Sequence, residues 1–157
     1  LALHHNRPRL LSVFEQAATS LRGLVLVYAV FTFTAPFDEQ SPFPAQAKVL
    51  KLLCRGTPTT RPDCYQQITP ANWISKQTPP FLVIQGETDA LISATETQEF
   101  WEALQNEKVP HSAFLRLPLV EHAFDIFPTL TAQCIVPTIA QYLIMLHENH
   151  LNHSGEK

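Results

Sequence analysis

The length, composition and charge of the chain limit what it can be. Its 157 residues are 45% apolar and 16% charged, which allows one folded domain with a core and argues against disorder. Eleven Lys and Arg against fourteen Asp and Glu give a net charge of -3 without a basic cluster, so we expect no nucleic-acid partner. The uncharged stretch 23–37 is too short to span a bilayer, and we expect no transmembrane segment.

The first residue and the cysteines bear on completeness and compartment. The chain begins at Leu1 and lacks the residue order of a signal peptide, so we expect that sequence precedes it. The compartment stays open, with the cytoplasm as the working expectation. Cys54, Cys64 and Cys134 form no CxxC or Cys/His pattern, which predicts neither a zinc site nor a disulfide framework. We expect reduced thiols, with a Cys54–Cys64 bridge across a loop as the alternative.

The first half of the chain contains one clear strand and a proline-rich excursion. Residues 22–34, RGLVLVYAVFTFT, are rich in β-branched and aromatic residues and predict a buried strand. Between residues 35 and 80 lie eight of the thirteen prolines, and only Ala45–Leu53 has a helical pattern. We interpret this stretch as an excursion from the core and not as a second domain.

The second half of the chain returns to regular elements. Its patterns predict a strand over 81–85, a helix over 95–105, a strand over 113–117 and a final helix over 130–148. Ser93 stands three residues before a glutamate, which is the spacing of a capping box at the start of the first of these helices. Strands that alternate with helices in this way indicate βαβ units and parallel pairing.

Carboxylates and a histidine follow the two predicted strands at their carboxyl ends. Phe81–Ile84 lacks polar alternation, as expected of a strand buried on both faces, and Glu87 and Asp89 follow it. The next strand leads to His122, and parallel strands place both loops at one edge of the sheet. There a carboxylate can accept the Nδ1 proton of a histidine and leave Nε2 to act as a base. We prefer Asp89 as this carboxylate, with Glu87 as its rival.

Each of these residues also has a structural interpretation. Asp89 alone is equally compatible with a solvated turn, and Ser93 is interpreted as a cap. Asp125 is expected to support the histidine loop. His147, His150 and His153 recur every three residues and could bind a metal on a helix, but we interpret them as a solvated helix end. His4 and His5 support no function, and we expect no metal and no cofactor.

The sequences TPPFLVIQGETDALIS and LPLVEHAFDIFP form two of the predicted loops. They resemble the acid and histidine loops of the α/β-hydrolase fold, in particular its esterase and lipase branch, similar to hormone-sensitive lipase and the small carboxylesterases. The sequence CYQQITPANWI at 64–74 is similar to the lid sequence of that branch. The resemblance covers nearly the whole chain. It implies a single partial domain, 1–157, from the C-terminal portion of this α/β fold, with about three mostly parallel strands, flanking helices and a cap-like insertion at 36–80.

The same resemblance implies a function. A carboxylic-ester hydrolase would use Asp89 as the acid and His122 as the base of a Ser-His-Asp triad. Its partner would be a small-molecule ester, without a cofactor, and the oligomeric state stays open. Large apolar side chains of the insertion, Phe37, Phe43 and Trp73, would shape the acyl pocket.

The chain departs from the family pattern at the nucleophile. A G-x-S-x-G elbow needs two glycines four residues apart, and the glycines lie at 23, 56, 86 and 155. We therefore expect the serine upstream of Leu1 and an inactive isolated chain. The acid loop reads Gln85-Gly86-Glu87-Thr88-Asp89, where the family commonly has His-Gly-Asp-x-Asp. The alternatives are a truncated or degenerate hydrolase that serves as a binding or interaction module, and a peptidase or thioesterase of the same fold.

Overall fold

The computed structural model describes residues 21–33 and 44–154 of the chain, with the side chains of 44–46 and 153–154 left outside the description. Phe37, Phe43, His4 and His5 therefore lie outside the described residues. The elements in chain order are β1 (Leu24–Val27), α1 (Pro44–Cys54), α2 (Pro62–Ile68), a 3-10 helix (Pro70–Trp73), β2 (Phe81–Gly86), α3 (Ala94–Asn106), β3 (Ala113–Leu117) and α4 (Leu130–Ser154).

The three described strands form one parallel sheet in the order β1-β2-β3. Leu24 lies opposite Phe81 at the start of the β1–β2 pair, and Gly86 lies opposite Leu117 at the end of the β2–β3 pair. All six residues of β2 are buried, as the apolar run without alternation predicted for a central parallel strand. Parallel pairing means that the loops after all three strands emerge at one edge.

Successive side chains of β2 point to opposite faces of the sheet. The helix α3 covers one of these faces and α4 covers the other. Phe81 and Val83 pack with Phe100 and Leu104 of α3. On the other face, α4 provides the buried partners of Leu82 and Ile84, namely Ile135, Tyr142 and Leu146. The sheet therefore lies between two helical layers, and its carboxyl edge is open for loops.

The helix α3 begins where the capping box predicted. Ser93 Oγ accepts a hydrogen bond of 3.3 Å from the Glu96 backbone N–H, which satisfies one free donor of the first turn. Because the cap lies four residues after Asp89, the start of α3 limits the length and the path of the acid loop.

The strand β1 is shorter than the predicted strand over 22–34. It ends at Val27, because Tyr28 takes a left-handed backbone conformation with φ 41° while its N–H still donates to the Ile84 carbonyl at 2.9 Å. Phe31 lies beyond the strand and stacks on Phe100 with ring centroids 3.9 Å apart. Among the described residues after Val27, Phe31 is therefore buried in a connection and not in a strand.

The proline-rich excursion contains more helix than its sequence pattern predicted. The expected helix is present as α1, and α2 and the 3-10 helix follow it, each with a proline in its first turn. A disulfide joins Cys54 to Cys64, so the expectation of reduced thiols was wrong for this pair. Buried Leu50 and Tyr65 pack with Cys54 in a small core of their own. Cys54 is the last residue of α1 and Cys64 lies in α2, so the bridge links two helices of which the sequence pattern predicted only the first.

The last helix is longer than predicted and runs through Pro137. By length and composition its segment Leu130–Asn152 could cross a membrane, although a core helix of a soluble protein meets the same criterion. The uncharged run 126–147 exceeds the stretch 23–37 on which the expectation of no transmembrane segment was based. That expectation therefore stays a prediction.

The loops after β2 and β3 are joined by their backbones. The Glu87 N–H donates to the Leu117 carbonyl at 2.9 Å, and the Thr88 N–H donates to the Val120 carbonyl at 3.2 Å. Gly86 permits this approach, because a Cβ at this position would collide with the carbonyl oxygen of Val120. The acid and histidine loops therefore form one unit at the sheet edge.

Gly86→Ala should lower the free energy of unfolding by about 2 to 3 kcal/mol, because the new methyl group meets backbone that cannot move without separating the two loops. Thr88→Ala is the matched control in the same loop, since Thr88 is exposed and its backbone N–H bond to the Val120 carbonyl does not depend on its side chain. We expect the control to change stability by less than about 1 kcal/mol in urea unfolding. Equal losses for the two variants would contradict this account of the loop contact.

Removal of the disulfide should also destabilise the chain. The cysteines are separated by 10 residues, and a loop of this size predicts a loss of about 2 to 3 kcal/mol in Cys54→Ser/Cys64→Ser, measured by urea unfolding. Cys134→Ser, at an exposed free cysteine, is the control and should unfold like the wild type. A double variant as stable as this control would show that the bridge does not stabilise α1 and α2.

Candidate active site

The structure brings Asp89 and His122 together at the carboxyl edge of the sheet. His122 Nδ1 lies 2.9 Å from Asp89 Oδ2, across 33 residues of sequence. The Asp89 side chain is fully buried, whereas 26% of the His122 side chain is exposed. The pair thus has a buried acidic end and an accessible basic end, which a proton transfer to a bound molecule requires.

The carboxylate of Asp89 is surrounded by donors. Its Oδ1 accepts from the backbone N–H groups of Leu91 and Ile92, both at 2.8 Å. Its Oδ2 accepts from Gln85 Nε2 at 3.1 Å in addition to His122. With four donors on two oxygens, the plane of the carboxylate is fixed relative to the imidazole.

Gln85 is the buried polar residue that connects this carboxylate to the fold. It is 1% exposed at the end of β2, and its Nε2 lies 3.2 Å from the carbonyl oxygens of Gly86 and Ile92. Its Oε1 accepts a hydrogen bond of 3.3 Å from Thr97 Oγ1 in the first turns of α3. The glutamine therefore ties the acid loop to the helix that follows it.

The electrostatics favour the ionised form of Asp89. Burial alone would raise the pKa of this carboxyl, but the Ile92 N–H, the His122 imidazole and the Leu91 N–H donate to it, and charge on His122 acts in the same direction. These interactions outweigh burial, and the net pKa of Asp89 lies below its ordinary value. Asp89 is thus an acceptor for the histidine over the neutral pH range.

An ionised Asp89 assigns the tautomer of His122. Because a carboxylate can only accept, the proton lies on Nδ1 and the lone pair of the neutral ring lies on Nε2. Leu119 and Ala123, on either side of His122, both take left-handed backbone conformations with φ 57°. The histidine loop therefore follows a tight path around His122. With its proton on Nδ1, the imidazole can accept a second proton at Nε2.

Sequence reasoning missed Tyr28. Its ring centroid lies 4.4 Å from that of His122, and its hydroxyl donates to Asp125 Oδ1 at 2.8 Å. That hydrogen bond, followed by burial and the negative charges of Asp125 and Asp89, raises the pKa of Tyr28. The available signal was its position directly after the end of β1, at the same edge as Asp89 and His122, but the predicted strand ran through it. Asp125 contacts the site only through this tyrosine among the described hydrogen bonds.

Glu87, the rival acid, has a different partner. Its Oε1 lies 3.1 Å from Arg116 Nη2 of β3, and the two side chains are 40% and 52% exposed. Surface ion pairs of this kind contribute little to stability. Glu87 thus pairs with an exposed arginine beside the loop. Among the described contacts, the carboxylate that bonds to His122 is that of Asp89.

Of the predicted pocket residues, only Trp73 lies within the described part of the chain. Its indole Nε1 donates to the Gln67 carbonyl at 2.8 Å. It borders a cavity of about 590 Å³ whose other lining residues are Asp63, Gln66, Gln67 and Asn72. Apart from Trp73 the side chains of this lining are polar, and they include neither Asp89 nor His122. A role for Trp73 in an apolar acyl pocket stays a prediction.

The repeated histidines of α4 do not gather into a metal site in the described part of the chain. His147 Nδ1 lies 3.5 Å from Arg22 Nη1, and the side chain of His153 lies outside the description. Over residues 21–33 and 44–154, no group of three or more His, Cys, Asp and Glu side chains is placed to hold a metal ion.

Curated relatives of the chain include two proteins of Mycobacterium tuberculosis (strain ATCC 25618 / H37Rv). The "Probable carboxylic ester hydrolase LipM" is 26% identical over 156 residues, which cover 99% of this chain and 36% of that protein. "Esterase LipQ" is 24% identical over 149 residues, which cover 93% of this chain and 34% of that protein. The chain thus spans about a third of the length of these relatives.

Solved structures show the same fold. The acetyl ester-xyloside bifunctional hydrolase from Caldicellulosiruptor lactoaceticus superposes with a TM-score of 0.64 at 19% identity, over 82% of this chain and 43% of that one. The carboxylesterase Cest-2923 from Lactobacillus plantarum WCFS1 gives 0.63 at 17% identity, over 96% of this chain and 53% of that one. The three parallel strands and their flanking helices are therefore part of an α/β-hydrolase fold. The BD-FAE family matches residues 4–104, well over half of the chain, and the chain belongs to this family.

Proposed function

We propose that the chain supplies the acid and the base of a Ser-His-Asp triad in a carboxylic-ester hydrolase, with Asp89 as the acid and His122 as the base. The observation that carries the proposal is the 2.9 Å contact between His122 Nδ1 and a fully buried carboxylate, with part of the imidazole exposed. The names of the relatives, a carboxylic ester hydrolase and an esterase, support the class of bond. The nucleophilic serine is proposed to lie upstream of Leu1.

Each half of the proposed reaction has two proton transfers through the same nitrogen. His122 Nε2 accepts the serine proton while the serine oxygen attacks the ester carbonyl carbon, and then gives that proton to the oxygen of the leaving alcohol. Water attacks the resulting acyl-enzyme in the same manner, which releases the carboxylic acid and restores the serine. Asp89 keeps its charge throughout and stabilises the imidazolium between the two transfers.

Residues 36–80 are proposed to act as a cap within the single partial domain. Support comes from the disulfide and the small core of Leu50, Cys54 and Tyr65, which link α1 to α2 within this segment. Phe37, Phe43 and Trp73 would then shape the acyl pocket beneath it. The isolated 157 residues would be inactive, because none of their serines stands in a G-x-S-x-G context.

A panel of substrates distinguishes the proposed function from two alternative functions of the same fold. The full-length protein is assayed with aryl esters, acyl thioesters and peptide amides of matched acyl groups. Faster hydrolysis of the esters supports the proposal, a preference for thioesters or amides supports a thioesterase or peptidase, and hydrolysis of none supports a non-catalytic binding module.

Asp89→Asn in the full-length protein should lower kcat for ester hydrolysis by about four orders of magnitude, because an amide at this position imposes the wrong tautomer on His122. His122→Ala should have at least as large an effect. Glu87→Gln is the matched control, since Glu87 pairs with Arg116, and it should keep kcat within about two-fold. A loss in Glu87→Gln with no loss in Asp89→Asn would assign the acid to Glu87.

The lowered pKa of Asp89 predicts a pH dependence of stability. A carboxyl whose folded pKa is depressed contributes stability above its unfolded pKa, near 3.8, and loses it as the pH falls through the folded value. The difference in unfolding free energy between the wild type and Asp89→Asn should therefore shrink between about pH 5 and pH 2. Glu99→Gln, at an exposed position of α3, is the control. A difference for Asp89→Asn that does not change with pH would contradict the hydrogen-bond account.

A further inference from the structure

We propose that Tyr28, the residue after β1, is a positioning residue for His122. The ring of Tyr28 restrains the imidazole, and its hydroxyl keeps Asp125 away from the imidazole. The inference rests on the proposed function, because it assigns Tyr28 a role in the action of the His122 base. Its evidence is the geometry of the tyrosine, which makes one contact with the imidazole and another with the loop that carries it.

The backbone of Tyr28 is in a costly conformation. A left-handed φ of 41° is unusual for a bulky side chain, and such residues concentrate at functional sites. The N–H of Tyr28 donates to the Ile84 carbonyl of β2, so the turn is anchored to the central strand. Each of the three strands thus places one side chain of the site at the same edge: Tyr28, Asp89 and His122.

The ring of Tyr28 restricts a motion that Asp89 leaves free. The hydrogen bond to Asp89 fixes Nδ1, but the imidazole can still pivot about the line from Nδ1 to Oδ2. The tyrosine ring contacts it at a centroid distance of 4.4 Å and an angle of 53°, and Phe124 packs edge-on against the tyrosine at 5.9 Å. This contact limits the swing of Nε2, whose aim decides whether it reaches the serine hydroxyl.

The hydroxyl of Tyr28 acts on the loop. Asp125 lies three residues after His122, and its Oδ1 accepts the tyrosine proton at 2.8 Å. This hydrogen bond links the histidine loop to the residue after β1, and it engages the carboxylate of Asp125. Without it, Asp125 becomes free to compete with Asp89 for the imidazole, and a ring turned towards Asp125 would have Nε2 misaimed.

The test is kinetic and uses the full-length protein with an aryl ester. Tyr28→Phe, which keeps the ring, should lower kcat about ten-fold, and Tyr28→Leu, which removes both contacts, about a hundred-fold, with KM within about two-fold in both. Tyr142→Phe on α4 is the control for loss of a tyrosine hydroxyl outside the site and should keep the wild-type kcat. Thermal unfolding of each variant separates an effect on positioning from a loss of folded protein.

A double variant tests the role of Asp125. Tyr28→Phe/Asp125→Ala removes the competing carboxylate and should recover part of the kcat lost in Tyr28→Phe. A double variant no faster than Tyr28→Phe would overturn the assignment of competition to Asp125.

The ring signals of His122 provide a readout that does not need activity. In protein labelled with ¹⁵N-histidine, the wild type should show one set of ring signals for His122, assigned with His122→Gln. Tyr28→Phe should broaden or double this set. Unchanged kcat and unchanged ring signals in both Tyr28 variants would overturn the inference while a loss of activity in His122→Ala leaves the proposed function intact. Unchanged activity in His122→Ala would overturn the proposed function instead.

Discussion

The buried carboxylate of Asp89 is the constraint on which the rest of the site depends. A fully buried ionised group is costly unless donors surround it, and here two backbone N–H groups, Gln85 and His122 supply them. These donors come from three parts of the fold: the two N–H groups from the acid loop, Gln85 from the end of β2 and His122 from the histidine loop. The carboxylate can therefore be satisfied only when strand order, loop path and the start of α3 are all in place.

Much of this arrangement could be predicted because its causes are local. The apolar run of β2 has no alternation, and Ser93 has the spacing of a cap, so β2 and the start of α3 follow from neighbouring residues. Parallel pairing then predicts that the loops after β2 and β3 lie at one edge. That rule, and not either residue alone, made Asp89 and His122 worth pairing.

The features that sequence did not predict depend on long-range contacts. Tyr28 ends β1 through a left-handed backbone conformation, which the β-branched residues around it do not indicate. The predicted strand therefore extended beyond Tyr28. Its hydroxyl partner, Asp125, is 97 residues away. The bridge between Cys54 and Cys64 requires α2, and the prolines that begin α2 and the 3-10 helix had the appearance of loop residues. The choice between Glu87 and Asp89 as the partner of His122 also required the folded chain, in which Glu87 contacts Arg116 and Asp89 contacts His122.

The central claim, that Asp89 and His122 activate a serine outside these residues, is tested most directly by covalent labelling. The full-length protein is treated with an aryl phosphonate ester, which reacts with activated serines, and the modified residue is located by peptide mass spectrometry. The account predicts one modified serine upstream of Leu1, in a G-x-S-x-G sequence, and loss of that modification in His122→Ala. Labelling that persists without His122, or that falls on a serine within residues 1–157, would contradict it.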